Sequence, residues 1–279
     1  MKVIGVVKIG GAIGNALEPL MEELASRTTT EHWVLVHGAS GVTDELCRVC
    51  NVEPRYVTSP SGYRSRYVGE VERAIFEAAS YSFSAHCATL LAMKGTPAVP
   101  LRPDVAGTAF AKRKESLRVV SEGRQMILRG NYSGTVTRVD PKLILKLLGK
   151  GCIPILPPLA MDEAGEFSLD VDGDRLGAAV AGALGSQVLV ILSNVPGLLR
   201  DPSDPDSLIA EATLDDWDDL ESCAEGNMKR KLLACKEALD AGVPRVILAD
   251  SRLSRPLSAA LSGGGTHIWR TRPSMTQTG

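Results

Sequence analysis

The chain has 279 residues, of which 44% are hydrophobic and 23% charged, and a formal net charge of −2. That length and apolar content suffice for one large α/β core, while the near-neutral balance gives no whole-protein case for nucleic-acid binding. No apolar run reaches the roughly 20 residues of a membrane span, and the start MKVIGVVKIGG lacks the basic region and cleavage site of a signal peptide.

Runs rich in Val, Ile and Leu alternate with helical segments, the pattern of a parallel sheet covered on both faces. A strand over residues 3–9 enters Lys8-Ile9-Gly10-Gly11, and a helix follows over 18–27. A second strand over 33–37 ends in His37-Gly38-Ala39-Ser40-Gly41 and leads to a helix over 43–50. Both turns fall at the carboxyl edge of the expected sheet, where such sheets bind ligands. Glycines there let backbone N–H groups approach an anion, aided by the helix dipole. Either turn alone is equally explained as a tight connection; two at adjacent strand ends point to phosphate. His37 reads as a packed strand-end residue. The six cysteines form no framework, and Cys47-x-x-Cys50 has no second pair, so reduced thiols in a cytoplasmic protein are expected.

A long helix over 69–93 and a strand over 98–101 come next. The stretch from Phe110 to Val139 then breaks the alternation and reads as a β-hairpin lid, SLRVV and RQMIL about a Ser121-Glu122-Gly123 turn, followed by RGNYSGTV. Lys112, Arg113, Lys114, Arg118, Arg124 and Arg129 concentrate positive charge on it, as a solvated face or as a landing site for an acidic partner.

A helix over 141–148 and a strand over 153–156 precede Asp170-Val171-Asp172-Gly173-Asp174, which ends a strand-like segment and enters a helix over 174–184. Asp172 or Asp174 can cap that helix, or one carboxylate can hold two lysines in place. A calcium loop fits poorly, because the rest of its pattern is missing. The strand over 188–193 ends in Ser193-Asn194-Val195-Pro196-Gly197-Leu198, a turn that suits an adenine and ribose pocket and that turn chemistry alone also explains. Helices over 214–222, 228–241 and 255–262 and strands over 245–249 and 267–269 complete the pattern, with a polar tail expected to be disordered from Thr271. On the helix after Gly226, Lys229 and Lys231 are two apart, so only one can face a site.

The ordered set KxGG, HG-small-S, DVDGD, SNVPGLL and GNMKRK resembles the amino acid kinase family over nearly the whole chain. It is most similar to the N-acetylglutamate kinase-like branch that acts on LysW-aminoadipate or LysW-glutamate, substrates attached to an amino-group carrier protein. The resemblance implies an α/β fold, an open three-layer αβα sandwich with a mainly parallel central sheet of about eight strands and a β-hairpin lid. One domain would span 1–270, with a substrate lobe over about 1–160 and an ATP lobe over about 161–270. It also implies that Lys8 and Lys231 stabilise the transferring phosphoryl group and that Asp174 orients both. Gly10 and Gly11 would bind phosphate, and Ser193, Asn194, Val195, Gly197 and Leu198 would line the nucleotide. Gly38, Ala39, Ser40, Arg66 and Asp170 would hold the substrate, and Lys112, Arg113 and Lys114 the carrier. Three positions depart from the pattern: Asp170 stands for an asparagine, Ala39 for a glycine, and Tyr56 for a carboxylate-binding arginine of N-acetylglutamate kinases.

The expected activity is ATP-dependent phosphorylation of a side-chain carboxylate, with Mg²⁺ carried by ATP and no protein metal site. The expected partners are a small acidic carrier and a second copy of the chain, with neither nucleic acid nor membrane. An ordinary N-acetylglutamate kinase is the alternative within the class, and a regulatory binder without catalysis the alternative outside it. Retention of Lys8, Asp174 and Lys231 argues against the binder. The missing GxGxxG argues against a dinucleotide-dependent dehydrogenase.

Overall fold

The computed structural model describes residues 2–12, 14–60, 62, 64–121 and 124–271. The chain runs β1 (Ile4–Ile9), α1 (Leu17–Arg27), β2 (His32–His37), α2 (Ser40–Val49), β3 (Tyr56–Thr58), β4 (Arg64–Arg66) and the long α3 (Glu70–Met93). Next come β5 (Ala98–Pro100), α4 (Pro103–Ala106), β6 (Ala109–Arg113), β7 (Ser116–Ser121), β8 (Arg124–Arg129), β9 (Ser133–Val139) and α5 (Lys142–Leu148). Then follow β10 (Ile153–Leu156), β11 (Leu159–Asp162), β12 (Ser168–Val171), α6 (Gly173–Leu184), β13 (Val188–Ser193) and β14 (Glu211–Thr213). Last are α7 (Trp217–Ser222), α8 (Asn227–Asp240), β15 (Arg245–Asp250), α9 (Pro256–Leu261) and β16 (Thr266–Trp269).

The main sheet has eight strands in the order β14-β16-β15-β13-β1-β2-β10-β5. Its neighbours pair in parallel except β15 and β16. The inner strands carry polar residues such as Lys8, His37 and Ser193 at or near their carboxyl ends but are mostly apolar, because both faces are covered. Alternate side chains of β1 show this: Val7 and Ile9 pack with Leu20 and Leu24 of α1, Leu91 of α3 and Leu257 of α9. Val6 packs on the opposite face with Leu176 and Val180 of α6, Ile144 of α5 and Leu239 of α8. The result is three layers, with β1 at the centre of the sheet and its carboxyl end at the heart of the molecule.

The predicted hairpin is only the inner part of a larger structure. The ladder β7–β8 is nested inside a second antiparallel ladder, β6–β9. The outer ladder closes with β11 and β12 into a four-stranded barrel, and the inner one extends into a sheet in the order β4-β3-β7-β8. Of the strands missed in sequence, β3, β4, β11 and β14 are three or four residues long, too short for periodicity to register. By contrast β6 and β9, of five and seven residues, flank the expected hairpin, and β12 is the strand-like segment expected before Asp172. Glu122 and Gly123 of the expected turn, and residues 272–279 of the expected tail, lie outside the described residues. The helix expected over 214–222 begins as a 3₁₀ turn, Leu214–Asp216, held by a reciprocal Thr213–Asp216 cap.

The two glycine turns interlock backbone against backbone. A Cβ on Gly11 would lie 2.3 Å from the Ala39 nitrogen, and one on Gly38 would lie 2.5 Å from the Gly11 nitrogen. The Gly41 N–H donates to the Gly11 carbonyl at 2.7 Å, and the Gly38 N–H to that of Ile9 at 2.9 Å. Gly11→Ala is therefore expected to cost about 1–3 kcal/mol by overpacking, or to displace the turn. A denaturant melt giving wild-type stability, with activity intact, would show that the turn yields freely.

Candidate active site

Lys8 is the last but one residue of β1, Asp174 lies in the first turn of α6, and Lys231 in the first half of α8. The fold joins these three: the Lys8 Nζ lies 2.7 Å from Asp174 Oδ1, and the Lys231 Nζ donates to Asp174 Oδ2 at 3.0 Å. Lys8 and Asp174 are buried. Burial draws the Lys8 ammonium below its usual pKa, with Asp174 opposing the shift and Lys231 adding to it. Burial would raise Asp174, but the two ammonium groups prevail and hold it well below the usual carboxylate range. Lys229 is exposed, so Lys231 is the lysine of this helix that turns inward.

The DVDGD segment divides its labour. Asp172 is the N-cap of α6, its Oδ1 accepting from the backbone N–H groups of Asp174 and Arg175. Gly173 leaves room for Lys8, whose Cε would lie 3.3 Å from a Cβ there. Asp174 is thus free of capping and can serve both lysines.

Lys8 lies on the wall of a cavity of about 600 Å³, which is also lined by Gly11, Gly38, Ala39, Ser40, Arg66, Lys114 and Asp170. Ala39, Ser40 and Gly38 bring the N-terminus of α2, which has no side-chain cap, to this cavity. Apart from the Gly41 N–H, which donates to the Gly11 carbonyl, that leaves the start of α2 and its dipole directed toward the cavity. Arg66 is fixed by an ion pair with Asp44 and by donation to the Tyr56 hydroxyl at 2.9 Å, with the guanidinium 5.0 Å from the Tyr56 ring centre. Tyr56 therefore stands beside Arg66 and supports it.

Asp170 reaches the cavity from β12, among Asp172, Arg66, Lys114 and Arg230. Its side chain retains some access to solvent through the cavity, yet is enclosed by protein on its other sides. Desolvation there, and then the like charge of Asp172, pushes its pKa up to about 7 against the pull of the three cations. Lys114 at the mouth is lowered by desolvation and by Arg175. Arg230 and Arg175 also line the cavity, and Arg175 forms a two-pronged pair with Glu237. Sequence reasoning missed Arg230; it sits between the two lysines of MKRK, and its helical angle was the signal available.

Other predicted residues lie elsewhere. Asp174 and Lys231 sit behind Lys8 and do not line this cavity, and Gly10 faces a second cavity of about 450 Å³. Ser193 is buried at the end of β13, Asn194 is exposed and Val195 half-buried. Gly197 has a φ of 158° and packs against Thr266, whose hydroxyl accepts from the Leu198 N–H at 2.8 Å. Lys112 is exposed on β6. The Arg113 guanidinium lies 3.8 Å from the Tyr132 ring centre and donates to the Asn131 carbonyl at 2.8 Å, so its charge is engaged in packing. His37 is fully buried, with Nε2 2.6 Å from the Ser84 hydroxyl, and burial lowers its pKa to about 4. It is a packing residue.

A model of the amino acid kinase family matches residues 4–250. LysW-aminoadipate kinase of Deinococcus radiodurans is 41% identical over 272 residues, covering 94% of this chain and 90% of that protein. LysW-aminoadipate kinase of Thermus thermophilus is 36% identical over 267 residues, covering 94% and 99%. Among solved structures, N-acetylglutamate synthase from Neisseria gonorrhoeae superposes with a TM-score of 0.77 at 22% identity; the match covers 96% of this chain and 60% of that one. Carbamate kinase from Giardia lamblia bound to AMP-PNP superposes with a TM-score of 0.66 at 16% identity, covering 97% and 99%. These two likenesses bear on the fold.

The raised pKa of Asp170 has a signed consequence for stability. Between the ordinary value of 3.8 and about 7, the folded protein holds a proton on Asp170 that the unfolded chain has lost. Its contribution to stability therefore falls as pH rises through that window. Asp170→Asn removes the titration, so the stability of wild type relative to the variant should decline between about pH 4 and pH 7. Parallel stability curves for the two proteins would count against this enclosure of Asp170.

Proposed function

The chain belongs to the amino acid kinase family, and we propose that it transfers the γ-phosphoryl group of ATP to a side-chain carboxylate. The acceptor is a glutamate or 2-aminoadipate residue attached to an amino-group carrier protein, and the product is an acyl phosphate. The observation that carries the reading is the Lys8–Asp174–Lys231 triad, whose Lys8 lies on the wall of a cavity lined by further cations while Asp174 and Lys231 stand behind it. The relatives named for LysW-aminoadipate support the carrier-bound acceptor.

A carboxylate oxygen attacks the γ-phosphorus, a P–O bond forms, and the bond to the β-phosphate oxygen breaks to release ADP. The nucleophile is already anionic at neutral pH, so no general base is required. His37, buried and bonded to Ser84, is not needed as one. Lys8 and Lys231 neutralise the oxygens of the transferring group, and Asp174 keeps their ammonium groups apart and aimed. Gly10, Gly11 and the Ser193–Leu198 segment take the nucleotide. Arg66 takes the α-carboxylate of the acceptor, with the N–H groups at Ala39 and Ser40 beside it, and Asp170 sets which acceptor fits. Both oxygens of Asp174 face lysines and Asp172 caps a helix, so the chain's carboxylates here suit positioning, and Mg²⁺ enters with ATP on the phosphate oxygens.

In this reading the half of the single domain over about 1–160 takes the acceptor and that over 161–270 the nucleotide. Lys112, beside the cavity-lining Lys114, offers charge to an acidic carrier. Two copies associate through the exposed face of α3, where Val71, Ala74, Ala78, Ser82, Ala85 and Thr89 form a stripe of small residues. All six cysteines are free thiols and, among the described residues, no helix is long and apolar enough to cross a membrane; both accord with work in the cytoplasm.

Lys8→Ala and Lys231→Ala are each expected to lower kcat by about 10²–10³-fold with a much smaller effect on ATP affinity. Lys229→Ala should leave turnover near wild type; if it proved the indispensable lysine, the triad would not be the reacting site. A mass spectrum of the carrier after incubation with ATP should show one added phosphoryl group. That signal should weaken with Lys112→Glu and with rising salt. Efficient, salt-insensitive phosphorylation of free N-acetylglutamate, with none on the carrier, would select the ordinary kinase instead.

A further inference from the structure

Asn15 lies in the loop between β1 and α1, outside every motif singled out in the sequence. Its Nδ2 donates to the carbonyls of Gly10 and Ala12, each at 2.8 Å, and its Oδ1 accepts from the Ser251 hydroxyl at 2.5 Å. Two carbonyl acceptors on one side and a hydroxyl on the other fix the orientation of the amide. Ser251 is fully buried just after β15, and its own backbone is committed in two directions. Its N–H donates to the Ser193 carbonyl at 2.7 Å, and its carbonyl accepts from Ala16 at 3.0 Å. A Cβ on Gly10 would lie 3.3 Å from Asn15 Nδ2, so a side chain there would press on the amide.

We propose that Asn15 and Ser251 are positioning residues that clamp the Gly10–Gly11 turn onto the ends of β13 and β15. The inference rests on the phosphotransfer reading, in which that turn meets the phosphates of a nucleotide and the Ser193–Leu198 segment meets its base. One rigid ligand then bridges two loops on different strands, and the distance between them has to hold while the phosphoryl group moves. The Gly10 N–H is already tied to the Leu192 carbonyl at 3.2 Å. The Asn15 amide adds the ties to the Gly10 and Ala12 carbonyls, and the Ser251 hydroxyl joins them to the nucleotide-side strand ends. Lys8, two residues before Gly10, is held in register by the same clamp.

The full-length variants Asn15→Ala, Asn15→Asp and Ser251→Ala test this. Asn15→Asp keeps the shape and the acceptor for Ser251 but turns an oxygen toward two carbonyls. It should match Asn15→Ala, with kcat lowered at least about tenfold, weaker AMP-PNP binding by calorimetry and an acceptor KM near wild type. Ser251→Ala should move the same quantities less. Backbone hydrogen exchange over residues 8–12 should quicken in all three, while melting temperature changes little. Folded Asn15→Ala with wild-type kcat and exchange would overturn the clamp. If that variant fails to fold, Ser251→Ala with unaltered kcat and AMP-PNP affinity would do so. A wild-type protein that transfers no phosphate would strike the kinase reading, whereas the exchange comparison judges the clamp independently.

Discussion

Asp174 held between two lysine ammonium groups is the arrangement on which the rest of the site depends. Three charges taken from water carry a large desolvation cost, and an ion pair offsets it only with close geometry. Here one carboxylate serves two cations, at 2.7 and 3.0 Å, so the cluster carries one net positive charge in a buried place. A cluster of that sign is incomplete without an anion. In the proposed transfer a polyphosphate would supply the missing charge, and affinity and lysine placement would then come from the same electrostatic imbalance. The helix dipole adds to this, because Asp174 lies in the first turn of α6 and favours the helix while it orders the lysines.

Close approach of backbones is the second constraint. Lys8 reaches Asp174 across Gly173, and the turns after β1 and β2 meet where Gly11 and Gly38 leave no space for a side chain. These glycines work by what they lack. In a parallel sheet adjacent strands end side by side, so their following turns compete for the same volume, and glycine resolves the competition. The N–H groups around Gly11, Ala39 and Ser40 are thereby brought to one wall of the cavity without the side chains that would screen them.

The cavity balances a cationic lining against two carboxylates. Asp172 is consumed by its cap, whereas Asp170 faces the space between Arg66, Lys114 and Arg230 with a pKa near neutrality. An asparagine at Asp170 would present a fixed donor and acceptor. A carboxyl that titrates near pH 7 changes between donor and anion with small changes in its surroundings. Under the proposed function, the choice of acceptor would in this way be connected to the charge gathered for phosphate.

Much of this was legible in sequence because it is local. The hydrophobic runs of β1, β2, β10 and β13 announce buried parallel strands, and Lys8, Asp174 and Lys231 stand out by the glycine turns and acidic triplet around them. Spacing alone also showed that Lys229 and Lys231 cannot both turn inward. Tertiary structure decided what depends on long-range pairing. The ladders β6–β9 and β11–β12 close into a barrel by pairing segments distant in sequence, two of them only four residues long. Arg230 lines the cavity only once α8 packs against α6. Arg113, one of three neighbouring basic residues, is taken out of the surface by Tyr132. Asn15 meets Ser251, 236 positions away, only because β15 lies beside β13 and β13 beside β1. Residue type and spacing determine which groups can do chemistry; packing across the sheet determines which of them meet.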